Sequence, residues 1–251
     1  DWLRVHAVEG WNADQLQQFD VDESNPGQMM MMPFTSSWYQ DYRGVLAFKP
    51  VAGDFIVTTH VHVSNATEDG PPEALFSLAG ILVRTPRDIT PQTWQPGGEN
   101  YIFLSLGAAD QPGSYQAEVK TTLNSVSVLE ITPGAPEASI RVARVGAHFI
   151  LLIRFPGEDW TVHRRYHRSD MPGTLQVGMT VYTDWDLVSS YTPYDHNSMV
   201  IPFGTPDLVA KFDFMRYRTP SVPAGLVGAA LSDPNDVTDA ELLEFLGDAV
   251  D

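Results

Sequence analysis

The residues best suited to chemistry are His60 and His62, separated only by Val61 in a strand-length run. At extended geometry they put two imidazoles on one face about 7 Å apart, a spacing used by zinc-binding histidines. A third ligand would come from His163, His167 or His148. The same pair, joined by His163, Tyr182 and a carboxylate, is the set from which an acid–base mechanism would be assembled. A solvated polar strand face is the simpler reading of the two histidines, because no acidic or histidine motif completes the ligand set.

Two aromatic clusters point to another chemistry. Sugars bind through C–H faces stacked on Trp or Tyr, while planar polar groups fix their hydroxyls. The segment Trp38-Tyr39-Gln40-Asp41-Tyr42-Arg43 and the stretch from Trp185 through Tyr191, Tyr194, Asp195, His196 and Asn197 are the densest in such groups. They give Trp38, Tyr39, Tyr42, Arg43, Trp185, Tyr191, Tyr194 and His196 as candidate ligand-binding residues. The competing reading is that these aromatics cap the ends of a sandwich and hydrogen-bond through their polar tips. For metals, Asp20, Asp22 and Glu23 offer oxygen ligands in a loop and are the candidate calcium site, although acidic loops are commonly just solvated. No other cofactor is expected. The four methionines Met29 to Met32 would point alternately to both faces of a strand, which suits core packing better than copper.

Composition narrows the classes. Fifteen Lys and Arg against 32 Asp and Glu give a net charge of -17, a field that repels phosphate backbones and anionic membranes. Nucleic acid is therefore not expected as a partner. The chain lacks cysteine, which removes disulfides, thiolate nucleophiles and Cys-ligated zinc. No apolar run approaches the roughly 20 residues that span a bilayer. No Gly-rich phosphate loop, Gly-x-Ser-x-Gly elbow or His-Glu-x-x-His is present. The first residue is Asp1, not Met, which suggests processing and an exported protein, secreted, periplasmic or at the cell surface.

The elements that must position these residues are strands. Ala138 to Asp184 divides at Val145-Gly146, Pro156 to Asp159 and Ser169 to Gly173 into four runs, read as an antiparallel meander at the centre of a sandwich core. Phe149, Leu151, Ile153 and Phe155 share one face, and Leu175, Val177, Met179 and Val181 share another. Further strands are expected at Met29 to Phe34, Leu75 to Arg84, Tyr101 to Gly107, Tyr115 to Thr122, Val126 to Ile131 and Val209 to Tyr217. Gly44 to Val51 and Asp54 to Ser64 read as a hairpin across Ala52-Gly53. Thr161, His163, Arg165 and His167 line one strand face, suited to an acidic polysaccharide or to balancing nearby carboxylates. Thr238-Asp239-Ala240-Glu241 is a capping box that opens a short helix with the apolar stripe Leu242, Leu243, Phe245 and Leu246. The domain reading is a β-sandwich over residues 1–220, with its core at 44–218 and an N-terminal extension at 1–43, followed by a linker and helical tail at 221–251.

The order of segments resembles the concanavalin A-like lectin/glucanase superfamily, in particular bacterial domains akin to the C-terminal domain of β-xylosidases. The resemblance is carried by Gly53-Asp54-Phe55, Ala79-Gly80-Ile81-Leu82-Val83-Arg84, Pro156-Gly157-Glu158-Asp159-Trp160-Thr161, Leu175-Gln176-Val177-Gly178-Met179 and Phe212-Asp213-Phe214. It implies an all-β, two-sheet antiparallel jelly roll whose concave sheet can carry a sugar groove, and often a structural calcium ion. It does not imply catalysis. The Glu-x-Asp-x-x-Glu strand of the superfamily's glucanases is absent, and so is the Gln-x-His of its alginate lyases. Three readings follow: a non-catalytic carbohydrate-binding module for a glycan or polysaccharide, a polysaccharide hydrolase or lyase with a non-standard site, or an extracellular structural module. The oligomeric state has no signal in the sequence.

Overall fold

Alternation with period two builds most of this molecule, and continuous apolar runs build the rest. The computed structural model describes residues 2–251. In chain order its strands are β1 (Leu3–Arg4), β2 (Leu16–Val21), β3 (Met29–Pro33), β4 (Ala47–Ala52), β5 (Phe55–Ser64), β6 (Ser77–Arg84) and β7 (Tyr101–Ala108). They continue as β8 (Gln116–Leu123), β9 (Val126–Pro133), β10 (Glu137–Val145), β11 (His148–Arg154), β12 (Thr161–His167), β13 (Thr174–Tyr182) and β14 (Val209–Arg218). Sheet A runs β1-β4-β13-β6-β7-β8-β9 and sheet B runs β12-β11-β10-β5-β14-β3-β2, with every pairing antiparallel.

The two sheets close on one apolar core. Ala79, Ile81 and Val83 of β6, Ile102, Leu104 and Leu106 of β7, and Leu175, Val177, Met179 and Val181 of β13 face Phe55, Val57, Val61 and Val63 of β5 and Phe149, Leu151 and Ile153 of β11. Met29 and Met31 join this core, which is the packing role expected of the methionine run.

Strands β6 and β7 are buried along their whole length, so sheet A is covered on its outer face as well. There Leu46, Phe48, Leu78, Leu82, Tyr101, Phe103 and Tyr182 form a second apolar layer with Val5 and Trp38. The outer face of sheet B is covered by the C-terminal segment. Leu231, Val237, Leu242, Phe245, Leu246 and Val250 pack on Ile56, Ala143, Ile150, Leu152 and Trp160.

The tail helix, Asp239–Leu246, has the expected capping box: Thr238 N donates to Glu241 Oε2 at 2.8 Å and Glu241 N donates to Thr238 Oγ1 at 3.3 Å. Its C-terminal end meets the fully buried Arg141, whose guanidinium donates to the carbonyls of Leu246 and Gly247 and to Asp251. The Leu246 carbonyl, the last of the helix, lacks an intrahelical partner, so a cation there satisfies both hydrogen bonding and dipole. Arg165 donates to the carbonyl of Val237 and to Asp239. The β12 face that carries it therefore anchors the tail.

Two expectations about connectivity are corrected. Strands β4 and β5 are not a hairpin: β4 pairs with β1 and β13 in sheet A, while β5 pairs with β10 and β14 in sheet B. The four-stranded meander is three strands, β10 to β12, after which β13 crosses to sheet A. Arg168 marks that crossing, donating to Thr121 Oγ1 at 2.7 Å and to the carbonyls of Thr122 and Tyr101 at 2.9 and 3.3 Å. Gly, Pro and Asp end a strand whichever sheet the chain enters next, so turn chemistry alone does not separate a hairpin from a crossing.

Candidate ligand cavity on the outer face of sheet A

The aromatic clusters reach the cavity through two loops stapled to each other. Tyr39 and Tyr42 exchange backbone hydrogen bonds around a turn with Gln40 at φ 51°, and Ser36 bridges Thr183 at the end of β13. Asp184, at φ 70°, accepts from Thr35 Oγ1 at 2.8 Å and from Thr205 N at 2.9 Å. It thereby opens the short helix Trp185–Val188 that carries Trp185.

A second short helix, Pro193–Ser198, locks onto the first loop. Ser37 N donates to His196 Nε2 at 3.0 Å, Arg43 N to Asn197 Oδ1 at 2.8 Å, and Asn197 Nδ2 to the carbonyl of Asp41 at 2.9 Å. Because Nε2 of His196 accepts, its Nδ1 carries the proton and donates to Asn197 Oδ1 at 2.9 Å. Burial holds this imidazole neutral, with its pKa down at about 4.

Between these loops and the sheet lies a cavity of about 180 Å³, lined by Ser37, Tyr39, Phe76, Lys120, Leu129, Tyr182 and Trp185. Tyr39 and Trp185 meet edge to face with centroids 5.2 Å apart, and Tyr42 supports Trp185 from behind at 5.3 Å. Lys120 of β8 is nearly sealed beneath them, with its ammonium 5.1 Å from the Tyr182 ring, 5.7 Å from Phe103 and 6.0 Å from Tyr39. Its three N–H bonds match three acceptors: the carbonyl of Trp38 and the Tyr182 hydroxyl at 2.8 Å each, and Glu118 Oε1 at 2.9 Å. Burial and then Glu118 push the Tyr182 phenol up, so it remains a neutral hydroxyl.

The loop that carries Tyr39 is tied through Arg43 to a buried ion network. Arg84 grips Glu99 bidentately at 2.7 and 2.9 Å and donates at 2.7 Å to Glu9 and at 2.8 Å to Gln176. Arg87 adds a 2.7 Å bond to Glu99, and Arg43 pairs with Glu9. Burial by itself raises the Glu99 carboxyl, but Arg84 and Arg87 outweigh it and hold the group down to about 2. Burial lowers the Arg43 guanidinium to about 10 against the pull of Glu9.

Of the candidate ligand-binding residues, Tyr39 and Trp185 line the cavity. Trp38 does not: its ring is fully buried against Tyr101, and its Nε1 donates to the carbonyl of Val45 at 2.7 Å. Arg43 is committed to Glu9, and buried His196 is a loop pin. Tyr42 donates to the carbonyl of Tyr191 at 2.8 Å. Tyr194 lies apart from the cavity, against Trp11 and Trp94 at 5.8 Å each.

The proposed acid–base set is not assembled. Tyr182 lies on the outer face of sheet A, His60 and His62 lie on sheet B, and His163 is on β12. The calcium candidates also fail to converge. Asp20 accepts from Ser24 N and Oγ at 3.1 and 2.7 Å, and Asp22 accepts from Gly27 N, so two of the three carboxylates close their own turn. Among the described residues, the convergent metal-type cluster is His60, His62 and Asp213.

Sequence reasoning missed Lys120, Phe76, Leu129 and Ser37. Alternation in Ala117-Glu118-Val119-Lys120 assigns Glu118 and Lys120 to the face away from the core, and such a face is ordinarily solvated. The available signal was the unbroken apolar character of β6 and β7, which shows that this face of the sheet is covered.

No protein-family model matches the chain, and no curated protein matches it. Solved structures do. A functionally unknown protein from Saccharomyces cerevisiae shares the fold at TM-score 0.58 and 13% identity, over 88% of this chain and 97% of that one. The GH43 protein BlXynB from Bacillus licheniformis matches at TM-score 0.53 and 13% identity, over 83% of this chain and 35% of its own. A xylan beta-1,4-xylosidase from Bacillus halodurans matches at TM-score 0.53 and 16% identity, over 78% and 34%. This chain thus spans about a third of the length of the two Bacillus proteins. What the chain shares with these structures is the fold, a two-sheet antiparallel jelly-roll β-sandwich, which with the short C-terminal helix is the architecture that the sequence predicts.

Proposed function

We propose that this chain is a glycan-binding β-sandwich module whose seat is the cavity between Tyr39, Trp185 and Tyr182, and that it binds without cleaving. The observation that carries the reading is the lining itself. Aromatic rings form the walls, and Ser37 adds a hydroxyl, the combination that stacks on a sugar face and orients its hydroxyls. The volume lies below the roughly 300–1,000 Å³ of sites for drug-sized ligands, which suits one ring or the end of a chain. The xylan named for one of the Bacillus proteins suggests a polysaccharide as the source of that ring.

Hydrolysis would require two carboxyl groups flanking the bond. The lining contains neither Asp nor Glu, and the ammonium of Lys120 is spent on its own three partners. Those features favour binding over turnover.

The test is a glycan array of neutral and acidic polysaccharides, followed by reducing-end and unsaturated-product assays on each hit. Binding without product is expected, weakened at least about tenfold in Tyr39→Ala and Trp185→Ala. Product release, or binding indifferent to both substitutions, overturns the reading.

A further inference from the structure

Away from the cavity, the outer face of sheet B carries a cluster that the glycan reading leaves unused. We propose that His60, His62 and Asp213 form a binding site for a divalent transition-metal ion of the zinc class. Their ligand atoms lie within 4.8 Å of one another, and the three residues arrive from two adjacent strands. His60 and His62 share the outer face of β5, and Asp213 sits in β14.

The strand register aims all three. His60 lies directly opposite Ser139 of β10, and His62 directly opposite Glu137. Each partner takes the Nδ1 of its histidine: His60 Nδ1 is 3.0 Å from Ser139 Oγ, and His62 Nδ1 is 2.6 Å from Glu137 Oε2. With Nδ1–H donating on that side, the Nε2 of His62 faces Asp213 and the Nε2 of His60, 4.0 Å from Glu137 Oε2, carries the second free lone pair. This is the outer-shell arrangement that fixes tautomer and ring orientation in metal-bound histidines.

Opposite them, the β5–β14 register slips between Phe212 and Phe214, leaving Asp213 as the extra residue of a bulge. The bulge re-aims the side chain that regular pairing would have placed elsewhere. Asp213 Oδ1 then lies 3.1 Å from His62 Nε2 and is braced by Gln28 Nε2 at 2.7 Å. Ligand atoms of a tetrahedral zinc, at about 2.0–2.1 Å from the ion, are about 3.3 Å apart, so the His62–Asp213 edge is already close to that length. The His60 ring packs on His62 with centroids 4.7 Å apart, and its ligand atom lies within 4.8 Å of those of His62 and Asp213.

Two imidazoles and one carboxylate select zinc, cobalt, nickel or copper over calcium and magnesium, which prefer all-oxygen shells. Three protein ligands leave the fourth position to water or to an exogenous ligand. Lys211 of β14 is paired to Glu68, and Arg154 of β11, which lines the same recess as His60 and Asp213, is paired to Asp248 and Asp251; Arg216 lies in that recess over the Phe214 ring.

The competing account is an imidazolium held between Glu137 and Asp213 with no role for metal. The two separate in an equilibrium titration of chelator-treated protein with zinc against a chromophoric chelator, followed by cobalt substitution read by visible absorption. One ion per chain is expected, with tetrahedral cobalt bands. The His60→Ala/His62→Ala double variant should lose about 100-fold or more in affinity, and Glu137→Gln about 10-fold or more. All these side chains are at least partly exposed, so circular dichroism should show native folding. The double variant keeps every acidic residue, so non-specific binding to the acidic surface survives in it and specific binding does not. Absence of stoichiometric zinc binding, or equal affinity in the double variant, overturns the proposal.

Discussion

The outer faces of the two sheets are each covered in part, but with different groups at the centre of the cover. On sheet A the cover consists of the N-terminal segment and the long loops, held down by Glu9, Arg43, Arg84, Glu99 and Arg87 around a central buried arginine. On sheet B it is an amphipathic tail that lays Leu242, Phe245, Leu246 and Val250 on apolar strand positions and is pinned at its ends by Arg141, Arg154 and Arg165. Ion networks have directional geometry, and apolar contacts do not. The first cover, with its ion network at the centre, therefore fixes loops in register, while the second has its apolar side chains at the centre and its ion pairs at the ends.

The strongest test of this contrast removes the centre of the network. Arg84→Ala strands Glu9 and Glu99 as buried carboxylates without their principal partner, and loss of one member of a buried pair costs about 3–5 kcal/mol. Urea denaturation should show that loss, and the surviving folded protein should bind glycan more weakly because Trp38 lies against the same guanidinium at 5.7 Å. A cost below about 1 kcal/mol would show that the loops are held by their apolar contacts alone.

Leu242→Ala tests the other face. Its side chain is fully buried between the tail helix and sheet B, so the substitution should cost about 3 kcal/mol. Glycan affinity should be unchanged, because the cavity lies across the sandwich. Combined with Trp185→Ala, the two stability effects should add within about 0.5 kcal/mol. A marked departure from additivity would mean that the two covers communicate through the core.

The same contrast explains what the sequence reveals. Alternation in β5 was legible because Phe55, Val57, Val61 and Val63 face a core while His60 and His62 do not, and a period of two needs no tertiary information. The C-terminal helix was legible because its capping box is local. Sheet membership was not, since Ala52-Gly53 reads the same in a hairpin as in a crossing. Trp38 and Tyr39 are neighbours of similar chemistry, yet one is core and the other lines the cavity, a difference set by where a loop meets sheet A. Asp213 gave no signal because the bulge that aims it is a property of pairing with β5. Buried Glu118 and Lys120 looked like a solvated face because Trp38 and Tyr182, which share the Lys120 ammonium with Glu118, lie far along the chain.

His196 offers a finer probe of the ion-held cover. Burial keeps its folded pKa near about 4, well below the ordinary value of 6.5. Between those values the unfolded chain takes up a proton that the folded chain refuses. The stabilisation is therefore complete above pH 6.5 and declines as pH falls towards 4, at up to about 1.4 kcal/mol per pH unit. Protonation would also cost Ser37 N its acceptor and place a charge near Arg43 in the interior. His196→Gln retains an acceptor oxygen but cannot titrate, so its stability advantage over the native chain should grow by that amount per unit between pH 6.5 and 4.5. Leu242→Ala, on the other face, should keep the native slope. Parallel pH profiles for the native chain and His196→Gln would show that the neutral imidazole does not pin these loops. A slope altered in both variants would place the titrating group outside the cavity wall.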